Sequence, residues 1–205
     1  MPSIPYVTPA LNVPIGIANK MEEIAAISLP HCRVIAPSRA IERGLLRNGV
    51  SRSQVFFLPH GSTLLSDGQE YRSGQEAKLR FGYVGRIDRV KGLHILIDAL
   101  KIMPNPETFE LHVFGAAATR GEQRYLEFLR RHSEKLPVVW RGKVAHEHIL
   151  KAYAEIDVLV FPSICTEAFG LSVAEAVLAG RWSEGRRDAG YRLSVTHYFD
   201  VLDPS

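Results

Sequence analysis

Short apolar runs and longer stretches of helical periodicity succeed one another along most of this chain. Arg33 to Ala36 predicts a strand, Arg39 to Arg47 a helix and Val55 to Leu58 a second strand, before Pro59-His60-Gly61-Ser62 breaks the pattern. From Leu64 to Lys78 the chain is polar, carries Gly68 and Gly74, and reads as a linker. The pattern resumes with a strand at Leu79 to Val84, a helix from about Gly92 to Ile102 and a strand at Phe109 to Phe114. A helix from about Gly121 to Glu134, a strand at Val138 to Trp140 and a helix over His146 to Glu155 follow. Ile156 to Ser163 then predicts a buried strand closed by a turn. Leu171 to Leu178, rich in Ala, Leu and Glu, predicts a helix ending at Gly180.

Strands alternating with helices imply an α/β fold with a parallel, doubly wound sheet, whose ligands sit at the carboxyl ends of the strands. Two regions fall short of that pattern. Residues 1–62 hold two convincing strands, too few for an independent sheet domain. Residues 181–205, from Arg181-Trp182-Ser183-Glu184 onward, lose the alternation, and Tyr191 to Phe199 is a weak strand candidate. No strong strand is predicted after Gly180, so the sheet is expected to end on an open edge.

Composition narrows the classes. At 205 residues the chain has room for one good core, or for one domain and part of another. Hydrophobic residues make up 46%, which suits a soluble globular protein, and no apolar run approaches membrane-spanning length. Met1 to Asn12 carries prolines and no basic region, against a secretory signal. Cys32 and Cys165 form no disulfide framework, so a reducing cytoplasm is expected. A net charge of +3, spread over scattered basic residues, argues against nucleic acid as a partner.

Two segments carry candidate chemistry. Gly85-Arg86-Ile87-Asp88-Arg89-Val90-Lys91-Gly92 follows a strand and opens a helix. Gly85 permits a tight turn, and Arg86 and Lys91 flank the loop with two cations that suit a diphosphate. Charge-assisted hydrogen bonds to an anion are worth about 1.5–3 kcal/mol each. A solvated basic loop explains the same residues. In the second segment, Thr166 to Ala176, Glu167 and Glu175 stand around Phe169-Gly170-Leu171 between a buried strand and a helix. That geometry aims backbone N–H groups at an anion, and Gly170 lets a ligand approach the backbone. Acids near a helix N-terminus also complement its dipole, which is the simpler account of Glu175.

Other motifs are weaker. Trp140-Arg141-Gly142-Lys143-Val144 ends a strand, where backbone near Val144 could face a nucleotide base or merely turn. Phe114-Gly115-Ala116-Ala117 is placed alike. His146-Glu147-His148 puts two imidazoles two positions apart, off a common helix face, and reads as a polar helix start with no metal site. There is no Asp-x-Asp to hold a divalent ion on a diphosphate. Cys165 has no placed base to activate it and reads as packing.

Taken in order, these residues resemble a family 4 glycosyltransferase of the GT-B fold, the glycosyl transferases group 1 type. The likeness rests on Val34-Ile35-Ala36-Pro37-Ser38, Val55-Phe56-Phe57-Leu58-Pro59-His60-Gly61, and Tyr83-Val84-Gly85-Arg86 with Lys91-Gly92. It continues from Asp157-Val158-Leu159-Val160-Phe161-Pro162-Ser163 through Glu167-Ala168-Phe169-Gly170-Leu171 to Glu175-Ala176, and covers about Arg33 to Gly180. The resemblance implies two Rossmann-like domains, the second binding a nucleotide-sugar donor and the first chiefly the acceptor. Residues 1–62 would be the end of the acceptor-side domain, 63–78 a linker, 79–180 an incomplete donor-binding domain and 181–205 a divergent tail.

By resemblance, Glu167, Arg86 and Lys91 would be catalytic, the two cations holding the donor diphosphate and Glu167 contacting sugar hydroxyls. Gly85, Phe169, Gly170, Leu171, Glu175 and Val144 would line the donor site, Glu175 at the ribose. Hexosyl transfer from a UDP- or GDP-sugar, with retention and without a metal or other cofactor, is implied. The acceptor would be a lipid-linked sugar, a polysaccharide or a small molecule, and the site cytoplasmic, with peripheral association at the inner membrane face. A non-catalytic nucleotide-sugar-binding or assembly module needing a partner chain is the main rival reading. A GT-B sugar epimerase is another, but it is not expected to carry this glutamate segment.

After Gly180 the family pattern continues with a Pro-Val strand and a Gly-Gly turn, which Arg181-Trp182-Ser183-Glu184 does not match. The expectation is a truncation or a reading-frame change near Arg181. Translation of the underlying DNA in the other two frames tests it: a Pro-Val-Ile-like continuation is expected, and none in either frame overturns it.

Overall fold

The computed structural model describes residues 7–8, 13–14, 29, 31–60, 78–164 and 167–185. The chain divides after His60 into two compact units. In the first, β1 (Val7–Thr8) and β2 (Val13–Pro14) pair antiparallel, a small ladder that the apolar pattern does not predict. β3 (Val34–Ala36) and β4 (Val55–Phe57) pair parallel, joined by α1 (Arg39–Arg47). Ser38 starts α1 by accepting a hydrogen bond from the Ile41 amide at 3.3 Å. Ile41, Leu45 and Leu46 then pack on Ala36, Val50 and Val55. Glu42 is buried in this unit. Hydrogen bonds from Arg39 and Arg52 hold its carboxyl below the ordinary range, against the effect of burial.

The second unit is a five-stranded parallel sheet in the order β7-β6-β5-β8-β9. Its strands are β5 (Leu79–Val84), β6 (Phe109–Phe114), β7 (Val138–Gly142), β8 (Val158–Phe161) and β9 (Trp182–Gly185). α2 (Leu93–Ile102) and α3 (Arg120–His132) bury Leu93, Leu96, Ile97, Tyr125 and Leu129 with Leu111 and Val113. α4 (Ile149–Ala154) and α5 (Leu171–Leu178) bury Ile149, Tyr153, Val173 and Ala176 with Phe114 and Leu159. Neighbouring residues of β6 thus enter different cores, as the two-residue strand repeat requires, and the sheet is covered on both faces.

The α/β, doubly wound parallel sheet read from the sequence is present here. Two details differ. His146 to Glu155 is not one helix: His146–His148 forms a 3-10 turn and α4 begins at Ile149. No side chain caps the start of either piece, and the His148 amide bonds back three residues to Ala145.

The absence of a strand after Gly180 is corrected as well. Gly180, at φ 67, ends α5, the Arg181 amide bonds to the Ala176 carbonyl at 2.8 Å, and β9 follows at once. β9 pairs with β8 from Val158↔Trp182 to Phe161↔Gly185, so the edge of β8 is occupied. Ladder pairing is made by backbone groups, which every non-proline residue carries, so a strand can form without an apolar run to announce it.

Two contacts fix β5 against the segment around β8. Near their amino ends, Arg80 holds Asp157 by three hydrogen bonds: its amide and Nε to Oδ2 at 2.9 and 3.2 Å, and a terminal guanidinium nitrogen to Oδ1 at 2.8 Å. Burial pushes the Asp157 carboxyl up, but the Arg80 bonds outweigh it and the net shift is downward. At the carboxyl ends, Gly92 sits at φ 72, and a Cβ there would lie 2.0 Å from the Pro162 carbonyl oxygen. Asp157→Asn is expected to cost on the order of 2–3 kcal/mol at pH 7. Because the folded pKa is depressed, this contribution exists above the ordinary aspartate range and vanishes as pH falls through the lower folded value. The gap in melting temperature between wild type and variant should therefore close in acid. Gly92→Ala combines a left-handed φ with a backbone clash and is expected to cost on the order of 2–4 kcal/mol, read by the same melts.

Candidate functional site

β5 has β6 on one side and β8 on the other, and the chain reaches β8 only after it has formed β6 and β7. Between β5 and β8 the winding reverses. Loops leaving a parallel sheet at such a point diverge and leave a crevice at the carboxyl ends of the strands. Here the loops follow Val84 and Phe161, and their described residues are 85–92, 162–164 and 167–170. They are tied together by the Ile164 amide, which donates to the Val90 carbonyl at 2.9 Å.

The two sequence candidates of opposite charge meet in this place. Lys91 Nζ donates to both oxygens of Glu167, at 2.7 and 2.9 Å. Both side chains are mostly covered, 22% and 12% exposed. Ser163, buried at 1% exposure, donates its Oγ–H to Glu167 Oε1 at 2.5 Å. Ser163 was not among the candidates. The available clue is its place closing Phe161-Pro162-Ser163, four residues before Glu167.

Arg86 behaves differently. Its side chain is 66% exposed, 3.8 Å from Asp88 and 4.0 Å from Glu122 at the start of α3. Neither contact is close, so the guanidinium stands at the loop surface. The loop beneath it is firm: buried Tyr83 donates its hydroxyl to the Arg86 carbonyl at 2.5 Å, and burial raises the pKa of that phenol, keeping it a donor. At Gly85 the space beside the backbone is open enough for a side chain. The residue has no positive φ, and a Cβ there would meet Tyr83 Oη at an ordinary 3.5 Å. The close approach falls on Gly115, where a Cβ would lie 2.0 Å from the Gly85 carbonyl.

On the β8 side, Phe169 is buried against Ala174 and pins the turn, Gly170 takes φ 80 and α5 begins at half-exposed Leu171. The first amides of α5 lack intrahelical acceptors, so the turn presents donors. Glu175 is partly covered and its carboxylate is held from α4. Tyr153, fully buried, directs its hydroxyl at Glu175 Oε2 and the Ser172 carbonyl, each at 2.9 Å. Burial first, then the Glu175 charge, drive the Tyr153 pKa upward, so it remains a donor. Sequence reasoning missed Tyr153, because a tyrosine on an apolar helix face reads as core. Val144 is half-buried against the α4–α5 core and anchors the loop after β7. Cys165 and Thr166 lie outside the described residues.

The structure thus joins Lys91 to Glu167, sets Gly85 and Arg86 in the same β5 loop, and sets Phe169, Gly170, Leu171 and Glu175 along the turn and first helix after β8. Comparison with known proteins points the same way. Over 157 residues the chain is 29% identical to the sulfoquinovosyl transferase of Arabidopsis thaliana, which is 71% of this chain and 29% of that protein. The structure of Anabaena HepE in complex with UDP and glucose matches at TM-score 0.69 and 22% identity, over 82% of this chain and 48% of that one. Sucrose-phosphate synthase from Thermosynechococcus elongatus matches at TM-score 0.64 and 26% identity, over 87% and 45%. This chain therefore spans about half the length of those solved structures and under a third of the plant relative. Residues 78–183, more than half of the chain and both site loops with it, match the family described as glycosyl transferases group 1, and the chain belongs to that family.

Proposed function

We propose that this chain carries the donor site of a glycosyltransferase that moves a hexosyl group from a nucleoside-diphosphate sugar to an acceptor hydroxyl, with retention and without a metal ion. The observation that carries this reading is the Lys91–Glu167 pair at the winding reversal of the sheet, with the exposed Arg86 guanidinium on the same loop. The complexes of HepE with UDP and with UDP-glucose support a uridine donor as the first candidate.

In this reading Arg86 and Lys91 bind the diphosphate. As the bond between the anomeric carbon and the phosphate oxygen breaks, negative charge grows on the leaving diphosphate. Cations already in place stabilise it without reorganisation. Glu167 takes hydrogen bonds from donor-sugar hydroxyls, and the amides from Phe169 to Leu171 contact phosphate and sugar. Glu175, aimed by Tyr153, accepts from the ribose. Gly85 and Val144 let the two loops face the nucleotide.

The first unit is read as the end of an acceptor-side domain, and a complementary domain or chain supplies the remainder. The acceptor is a lipid-linked sugar, a polysaccharide or a small molecule met in the cytoplasm or at the inner membrane face. Among the described residues no helix is long and apolar enough to cross a membrane.

Calorimetry with UDP, GDP and ADP tests the reading. One of them is expected to bind weakly, and Arg86→Ala with Lys91→Ala to abolish binding, since two charge-assisted contacts of about 1.5–3 kcal/mol each are lost. Unchanged affinity in a folded double variant would refute the phosphate assignment.

A further inference from the structure

We propose that Glu167 discriminates the loaded donor from the spent nucleoside diphosphate by acting as a fixed counter-anion on Lys91. This deepens the donor-site reading and rests on it.

Three observations carry the inference. First, the carboxylate takes two of the three N–H bonds of the Lys91 ammonium, so any diphosphate that reaches Lys91 meets a cation already opposed by an anion. Second, the carboxylate is held from its other side as well. Ser163 grips Oε1 from a fully buried position, and its Oγ lies 3.3 Å from the Val90 carbonyl, next to Lys91 in the chain. Third, both partners of the pair are mostly covered, at 22% and 12% exposure, so solvent screens the carboxylate poorly from a neighbouring phosphate.

The two ligands then meet the same group with opposite results. In the donor, the outer phosphate is esterified by the sugar and carries less charge, and the sugar hydroxyls donate to Glu167. In the spent nucleotide, the outer phosphate has gained a negative charge and offers acceptors alone, so the carboxylate repels it. Glu167 thereby favours donor entry and product departure at one site, a selectivity that Lys91 and Arg86 cannot provide, because cations attract both ligands.

Titration calorimetry of wild-type chain and Glu167→Gln tests this, with UDP against UDP-glucose and GDP against GDP-mannose. Thermal melts verify folding, and Glu167→Ala serves if the glutamine variant fails to fold. The variant is expected to bind the bare diphosphate about tenfold more tightly and the sugar conjugate more weakly, so the preference for the conjugate falls by at least about tenfold. Equal changes for both ligands, or no tightening of the bare diphosphate, overturns the discrimination while leaving the donor site intact. Binding of neither pair by wild type overturns the donor-site reading itself.

Discussion

The site depends on the parallel pairing of β5 with β8, strands separated in sequence by β6, β7 and the helices α2, α3 and α4. Phe81↔Val158 and Gly82↔Leu159 form that pairing, and Arg80 and Asp157 lock it at one end. At the other end the backbone of Gly92 lies so near Pro162 that no side chain fits between them. With the strands fixed in register, the loops that follow have little freedom, and a lysine and a glutamate 76 positions apart reach hydrogen-bonding distance.

Each end of this strand pair carries one Arg/Lys–carboxylate contact, and the two differ in what surrounds them. Arg80 and Asp157 are 11% and 16% exposed and meet through two side-chain hydrogen bonds and one from a backbone amide. Such a pair is a fastening: removing one member strands the other. Lys91 and Glu167 meet at the mouth of the sheet, near exposed Arg86 and the donor-rich turn into α5. The same chemistry there leaves a cation and an anion side by side where a ligand can meet both. Tyr153 adds a second kind of support, a neutral buried donor that positions Glu175 without competing for an anion.

Much of the fold was legible because its strands are apolar runs with clear stops. β5, β6 and α5 match their predicted spans, each bounded by residues that favour turns or caps. β9 was not legible, because a short polar edge strand is specified by its neighbour's unpaired backbone rather than by its own pattern. The split before α4 was hidden by helix-forming residues that lack a cap. In the site, Lys91 and Glu167 could be named individually, but their contact depends on strand register, which local pattern does not encode. Ser163 and Tyr153 escaped notice for a related reason: a small hydroxyl at a strand end and a phenol on an apolar face acquire a role only through what they touch. The close approach at Gly115, whose Cβ would meet the Gly85 carbonyl, lies between two loops and is likewise absent from the local pattern.

β9 has a further consequence. Its place in the sheet rests on main-chain pairing with β8 from Val158 to Phe161, directly beneath the turn that leads to Glu167. A strand recruited in this way depends on main-chain groups that every non-proline residue carries, so side-chain replacements there leave the ladder intact while proline removes one of its donors. The border of this sheet is thus a permissive margin, where composition is free to vary while the loops beside it keep their frame.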